Sequence, residues 1–404
     1  MSQAADGAAV RAACETTLRQ NWREGVRLSD GVEFAYTSPS PHHYPWQWYW
    51  DSCFTASVWR RFDPDRSRRE LESLLAAQRE DGFIGHTIFW NTPLRGPRRF
   101  TYNVVSSGAP MTSSIQPPVL AWAWRIALGD PAAEPRVVRH HDWLAANRDL
   151  DGDGLIWIVQ PDESGLDASP QFDAIWGRRS HGLPGFALLV RRNRRLGYDL
   201  RAIAAAGGPV CCEVLTNVLH SLSLSALGRP SLTQQIVERM YDEATGLFWP
   251  VAIPPLAKRP ALTWTALAPL ALPDLPEAIG RRLVEEHLLD AERFWLPMAP
   301  PSVAADDPTF RPGVHWIPAF RRIWRGPTWI NSAWFVWLGL VRLGYSEQAD
   351  ELARRVAATV SGQGLHEYYN PYTGVGMGAP HFGWSTLAME IVEPDSRAAA
   401  SYLR

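Results

Sequence analysis

Three carboxylates fall within eleven residues at Glu163-Ser164-Gly165-Leu166-Asp167-Ala168-Ser169-Pro170-Gln171-Phe172-Asp173. Gly165, Ser169 and Pro170 argue against a regular helix, so the stretch reads as a loop. Loops carried on a rigid scaffold often hold chemistry. An ordinary solvated acidic loop is the plainer reading of the same residues. A further acid, Glu367, stands in Gly364-Leu365-His366-Glu367-Tyr368-Tyr369-Asn370-Pro371, beyond a helix expected to end near Ser361-Gly362. Hydrolysis of a glycosidic bond takes two carboxylates on opposite sides of that bond, one giving and one taking a proton. Asp167 and Glu367 are the candidate pair, and only the fold can bring them together.

Aromatic residues supply the second half of the pattern. The chain of 404 residues holds 20 Trp, 11 Tyr and 14 Phe. Such side chains build cores, but they also line ligand clefts, where a flat apolar face beside a polar edge suits a sugar. The densest run is Tyr44-Pro45-Trp46-Gln47-Trp48-Tyr49-Trp50-Asp51-Ser52. A buried aromatic cluster is one reading. Against it, Gln47 and Asp51 would be costly to bury unpaired, and a pyranose offers hydroxyls to the carboxylate and an apolar face to the indoles. The same logic covers Arg325-Gly326-Pro327-Thr328-Trp329, where Arg325 sits between Trp324 and Trp329.

Other chemistries find little support. Asp149-Leu150-Asp151-Gly152-Asp153-Gly154 looks like the start of a calcium loop, but the twelfth position is Gln160 where a bidentate Glu is needed. A tight Asx-rich turn is the better reading. His42-His43 and His140-His141 lack a third ligand at metal spacing, so no metal and no cofactor is expected. There is no phosphate-binding Gly-rich loop and no Gly-x-Ser-x-Gly elbow. The net charge of −2 gives no basic excess to recruit nucleic acid or an acidic membrane. Cys14, Cys53, Cys211 and Cys212 match no zinc or redox spacing and are expected to be free thiols. The N-terminal residues show no signal-peptide pattern and no run is long enough to span a bilayer, so a soluble cytoplasmic protein is expected.

The elements that must carry these loops are mostly helices. Helical patterns fall near 5–25, 51–61, 66–79, 113–128, 134–147, 181–196, 209–227, 231–243, 261–270, 275–289, 329–344, 346–361 and 382–392. Several helix pairs are followed by a turn and a short extended piece, as at Asp81-Gly82-Phe83-Ile84, Gly152-Asp153-Gly154-Leu155-Ile156-Trp157 and Thr245-Gly246-Leu247-Phe248-Trp249. Irregular spacing of this unit suggests a closed (α/α)6 toroid rather than a solenoid. The expected class is therefore all-α, one catalytic domain over 1–404, with long loops and a few short β-hairpins. Gly- and Pro-rich stretches at 91–118 and 296–318 are expected to be long loops that serve as walls or lids.

Taken together, the motifs resemble glycoside hydrolase family 63, with the family 37 trehalases as cousins. The resemblance spans roughly 44–391. It is carried by Trp48-Tyr49-Trp50-Asp51-Ser52, Ser114-Ile115-Gln116-Pro117-Pro118, Glu163-Ser164-Gly165-Leu166-Asp167, Trp324-Arg325-Gly326-Pro327-Thr328-Trp329 and Glu367-Tyr368 followed by Asn370-Pro371-Tyr372-Thr373-Gly374. It implies an (α/α)6 enzyme that hydrolyses an α-glycoside with inversion, with Asp167 as general acid and Glu367 as general base. It also implies Trp48, Trp50, Asp51, Gln116 and Trp384 around the sugar, and the expected wall is completed by Tyr44, Gly165, Arg325 and Trp329. The Tyr44 to Asp51 segment looks most like the bacterial mannosylglycerate and glucosylglycerate hydrolases. Those enzymes tend to carry an aromatic just before Glu-Ser-Gly, where this chain has Asp162. An acid there, facing the leaving group, is expected to disfavour an anionic aglycone such as glycerate. The partner expected is a small carbohydrate, an α-glucoside or α-mannoside, and a homo-oligomer is left open. A sugar epimerase or isomerase, or a non-catalytic sugar-binding protein on the same toroid, are the alternatives.

Overall fold

The computed structural model describes residues 3–91, 111–313, 316–317, 320–321 and 323–393. The loop expectations over 92–110, and over 314–315 and 318, lie outside the described residues.

Helices at Tyr49–Trp59, Leu120–Leu128, Val214–Ala226 and Ile330–Arg342 are buried on nearly every side. A helix apolar all round belongs in a core rather than at a surface. Two 3₁₀ segments, Trp264–Ala271 and Gly383–Leu387, are wholly buried too. These six pack in succession, Tyr49–Trp59 on Leu120–Leu128, then Val214–Ala226, Trp264–Ala271, Ile330–Arg342 and Gly383–Leu387, which returns to Tyr49–Trp59. A second set packs outside them. Pro64–Ala76 lies on Tyr49–Trp59, Thr233–Met240 on Val214–Ala226, and Ser346–Gln363 on Ile330–Arg342. These outer helices bury one stripe only, for example Ala349, Leu352, Val356, Ala357 and Val360 of Ser346–Gln363.

Local chemistry sets many boundaries. Asp63 caps the helix Pro64–Ala76 by accepting from Arg66 N at 3.1 Å, with proline at the first helical position. Glu213 does the same for Val214–Ala226 through Thr216 N at 2.7 Å. That cap corrects the expectation of a helix from 209. Val210–Cys212 is instead a strand, third of four in the antiparallel order Ala257–Lys258, Val251–Ile253, Val210–Cys212, Trp157–Ile158. Pro117-Pro118 likewise hold back the helix expected from 113, which starts at Leu120. The helix expected at 275–289 is an α-helix, Glu277–Arg282, that widens into a π-helix, Leu283–Leu288.

The Asp149 turn is an Asx turn, with Asp149 accepting from Gly152 N at 2.7 Å and Gly154 N at 2.9 Å. All four cysteines are buried and free. No helix of the described residues is long and apolar enough to cross a membrane.

His140, His141 and His220 meet between Pro135–Arg148 and Val214–Ala226, the last two with rings stacked at 5.9 Å. Burial lowers all three, His140 to about 4 and His220 to about 3. The folded protein therefore holds them neutral while an unfolded chain takes up protons below about 6.5. Their contribution to stability is complete above that pH and is lost as pH falls toward 4. Glu70, pushed up to about 7 by burial, works in the opposite direction over the same window. The expected result is thus differential. Between pH 7 and 4.5 the wild type loses melting temperature relative to His220→Gln, and parallel melting curves at every pH would refute it.

Candidate active site

Trp48 pairs in a two-residue strand with Thr87, and Trp48 then leads into the helix Tyr49–Trp59. Gln116 Oε1 accepts from Trp50 N at 2.9 Å, so a side chain from another element caps this helix start. Asp51 lies in the first turn, 3% exposed. Burial holds its carboxyl well above the usual carboxylate range, and the charges of Glu367 and Glu70 add to the effect.

The loop that carries Asp167 is two 3₁₀ turns, Pro161–Ser164 and Pro170–Phe172, running into a short helix, Asp173–Trp176. Gly165 joins them at φ +72, and a Cβ there would stand 2.5 Å from the Trp50 ring. Glycine is required twice over, by the left-handed backbone and by the close approach. The base of the loop is Glu163, fully buried. It accepts from Arg148 twice, at 2.7 and 2.8 Å, from Ile115 N at 3.0 Å and from Val159 N at 2.8 Å. With that anchor below, Asp167 is left exposed on the cavity wall.

Glu367 comes from the hairpin His366–Tyr369 and Gly376–Pro380, at the position where the register shifts between His366 and Tyr368. Such an irregularity turns a side chain away from the regular strand face. Tyr44 Oη donates to Glu367 Oε1 at 3.0 Å, and Ala379 N donates to Oε2 at 2.9 Å. Gly378, at φ +72, leaves room for the carboxylate, because a Cβ there would lie 2.6 Å from Glu367 Oε2.

These pieces converge on one cavity, with about 450 Å³ of empty space when its open mouth is included. Asp167, Glu367 and Asp51 line it, with Tyr44, Trp48, Trp50, Gln116, Gly165, Trp329 and Trp384. The indoles brace one another. Trp324 stacks on Trp329 at 3.9 Å between centroids, Trp384 meets Trp50 edge-on at 5.1 Å, and Phe382 packs against Trp384 at 5.0 Å. The indole N–H groups of Trp329 and Trp384 are buried with no hydrogen-bond partner among the described residues. Unmet donors in a cavity wall are suited to the hydroxyls of a ligand.

Three residues are placed otherwise than the sequence suggests. Arg325 does not line the cavity. Its guanidinium is nearly buried against Asp173, at 3.1 Å from Nη1, and clamps the loop that carries Asp167 to the Trp324–Trp329 segment. Gln47 needs no sugar, since Ser52, the Glu70 carbonyl, Ser73 and Trp90 satisfy it. Asp162 is not on the cavity wall either. Its Oδ2 accepts from Gln160 at 2.9 Å and lies 3.7 Å from His86 Nδ1. It stands one side chain behind the wall, next to His86, rather than on the wall as expected. His86, Phe382, Ile323 and Pro39 line the cavity without having been singled out. His86 sits in Gly85-His86-Thr87, beside the short strand that pairs with Trp48, and nothing local marks it.

Among the described residues, no group of three or more His, Cys, Asp or Glu side chains is placed to hold a metal ion.

The comparisons with known proteins point the same way. The family model described as the mannosylglycerate hydrolase MGH1-like glycoside hydrolase domain matches residues 44–227 and 217–385. A mannosylglycerate hydrolase of Thermus thermophilus is 30% identical, covering 87% of this chain and 95% of that protein. A glucosylglycerate hydrolase of Mycolicibacterium hassiacum is 26% identical over 87% of this chain and 93% of its own. The crystal structure of a GH63 mannosylglycerate hydrolase from Thermus thermophilus, in complex with glucose, superimposes with a TM-score of 0.77 at 27% identity. It covers 94% of this chain and 99% of that one. By class the protein is a glycoside hydrolase. The chain belongs to the mannosylglycerate hydrolase MGH1-like glycoside hydrolase family, and the family 63 resemblance read from its motifs holds.

Proposed function

We propose that this glycoside hydrolase cleaves a small α-hexoside with a glycerate-sized aglycone, and does so with inversion. The observation that carries the reading is a single cavity where Asp167, Glu367 and Asp51, drawn from three separate elements, meet a wall of indoles. The names of the relatives support a hexosylglycerate, and Asp162 stands behind His86 rather than on the cavity wall. The six inner segments with their outer partners are read as an (α/α)6 toroid, whose loops at one end form the site.

Asp167 gives its proton to the glycosidic oxygen as the C1–O bond breaks. Glu367 takes a proton from a water that attacks C1 on the opposite face. Each transfer contributes roughly 10²–10⁴-fold, and the geometry calls for carboxylates about 6.5–9.5 Å apart so that the water fits between them. The Tyr44 hydroxyl and Ala379 amide hold the Glu367 carboxylate in place. Asp51 and the Trp329 and Trp384 N–H groups engage sugar hydroxyls, and Trp48 and Trp50 cover the apolar ring face.

The test is the stereochemistry of the first product. With α-mannosylglycerate or α-glucosylglycerate, proton NMR taken within the first minutes should show the β-hexose, followed by mutarotation. An α-hexose appearing first would overturn the inverting assignment, and no turnover on any small α-hexoside would overturn the substrate class.

A further inference from the structure

His86 and Asp162 form a pair that neither the mechanism nor the anchoring of the acidic loop uses. The His86 backbone is held on both sides. Its N donates to Ser114 O at 2.8 Å and its O accepts from Tyr49 N at 3.0 Å. Its ring meets Trp48 edge-on at 5.0 Å, and it lines the cavity beside Asp51 and Gln116. Behind the ring, Asp162 Oδ2 lies 3.7 Å from Nδ1. The other oxygen, Oδ1, is buried with no hydrogen-bond partner among the described residues. A buried carboxylate oxygen left unpaired is costly, and the imidazole stands next to this carboxylate, whose Oδ2 already accepts from the Gln160 amide. The Asp162 backbone and its neighbours fix where the carboxylate stands, because Gln160 is itself tied to Asn193 at 3.0 Å and Gly165 N donates to Asp162 O at 3.1 Å.

We propose that Asp162 is a positioning residue acting through His86. It accepts Nδ1–H, which fixes the tautomer and the ring angle, and so directs Nε2 at a hydroxyl of the bound sugar. A second-layer carboxylate that orients an imidazole in this way is a general device. The pair deepens the hydrolase reading and rests on it. It assigns to Asp162 a role in sugar binding, in place of a charge that faces the leaving group.

A plain structural role for Asp162 in the Pro161–Ser164 turn predicts something different, so a double-mutant cycle separates the two. Glucose affinity by calorimetry, and KM and kcat on an α-hexosylglycerate, are measured for wild type, Asp162→Ala, His86→Ala and the double variant. Asp162→Ala should weaken glucose binding and raise KM by roughly tenfold, the worth of one good hydrogen bond, with kcat little changed. In the His86→Ala background the same substitution should change either quantity less than about twofold. Asp162→Asn, whose amide oxygen still accepts Nδ1–H, should recover most of the loss. An equal effect of Asp162→Ala in both backgrounds, or none in the first, overturns the proposal. If wild type cleaves no glycoside, the hydrolase reading fails by itself and the cycle is still decided on glucose affinity.

Discussion

Asp167→Asn and Glu367→Gln each lower turnover by roughly 10²–10⁴-fold, while the protein stays folded. Each amide keeps the size of the acid it replaces but can neither deliver nor accept the proton. Asp167 is exposed on the cavity wall, where solvent reaches the amide that replaces it. Glu367 is nearly buried, yet an amide fits its contacts with Tyr44 and Ala379, its oxygen taking the Ala379 N–H and its nitrogen facing the Tyr44 oxygen. Melting temperatures should therefore stay near wild type, and steady-state rates on an α-hexosylglycerate should collapse. Rates within about threefold of wild type in either variant would remove that residue from the proton-transfer pair. A melting temperature that falls along with the rate would mean that the loss reports the fold and not the chemistry.

The second large effect is on stability. Arg148→Ala strips the cation from Glu163 in a site that is 1% exposed on one side and 0% on the other. The carboxylate keeps its two backbone donors, Ile115 N and Val159 N, but loses the charge that made its burial tolerable. Removing one partner of a buried pair costs about 3–5 kcal/mol, a large part of the stability of an ordinary domain. Chemical denaturation should show the midpoint falling sharply. Replacing both partners, as in Arg148→Met with Glu163→Gln, should be less harmful than Arg148→Ala, because no lone charge is left behind. The rate should fall in both variants, since Glu163 ties the Asp167 loop to the segment that presents Gln116. An Arg148→Ala protein with an unchanged midpoint would show that the pair is not the anchor described.

These outcomes also bear on what a single chain of letters carries. The helices were legible because their signals are local. Asp63-Pro64 and the one-sided stripe of Ser346–Gln363 depend on neighbours within a few residues. The loop character of the Asp167 segment was legible too, since Gly165 and Pro170 carry it in their backbones. Where the local signal was weak the reading slipped. Val210–Cys212 is apolar without a period, and only its two neighbouring strands make it β.

The side-chain types of the site were present in the sequence, but their duties were not. Gln47 and Asp51 lie four residues apart in the same aromatic run, and both looked costly to bury. One is satisfied by Glu70, Ser73 and Trp90 from other elements, and the other is left facing the cavity. Arg325 belongs to a motif and Asp162 stands just before one, yet their side chains lie against Asp173 and His86. Glu367 owes its direction to a shifted register and its hold to Tyr44, 323 residues away. Caps, turns and periodicity act through contacts a few residues long, so they can be read in order along the chain. Which polar group is paid for by a protein partner, and which is left for a ligand, depends on contacts between distant segments, and those exist only once the chain has folded.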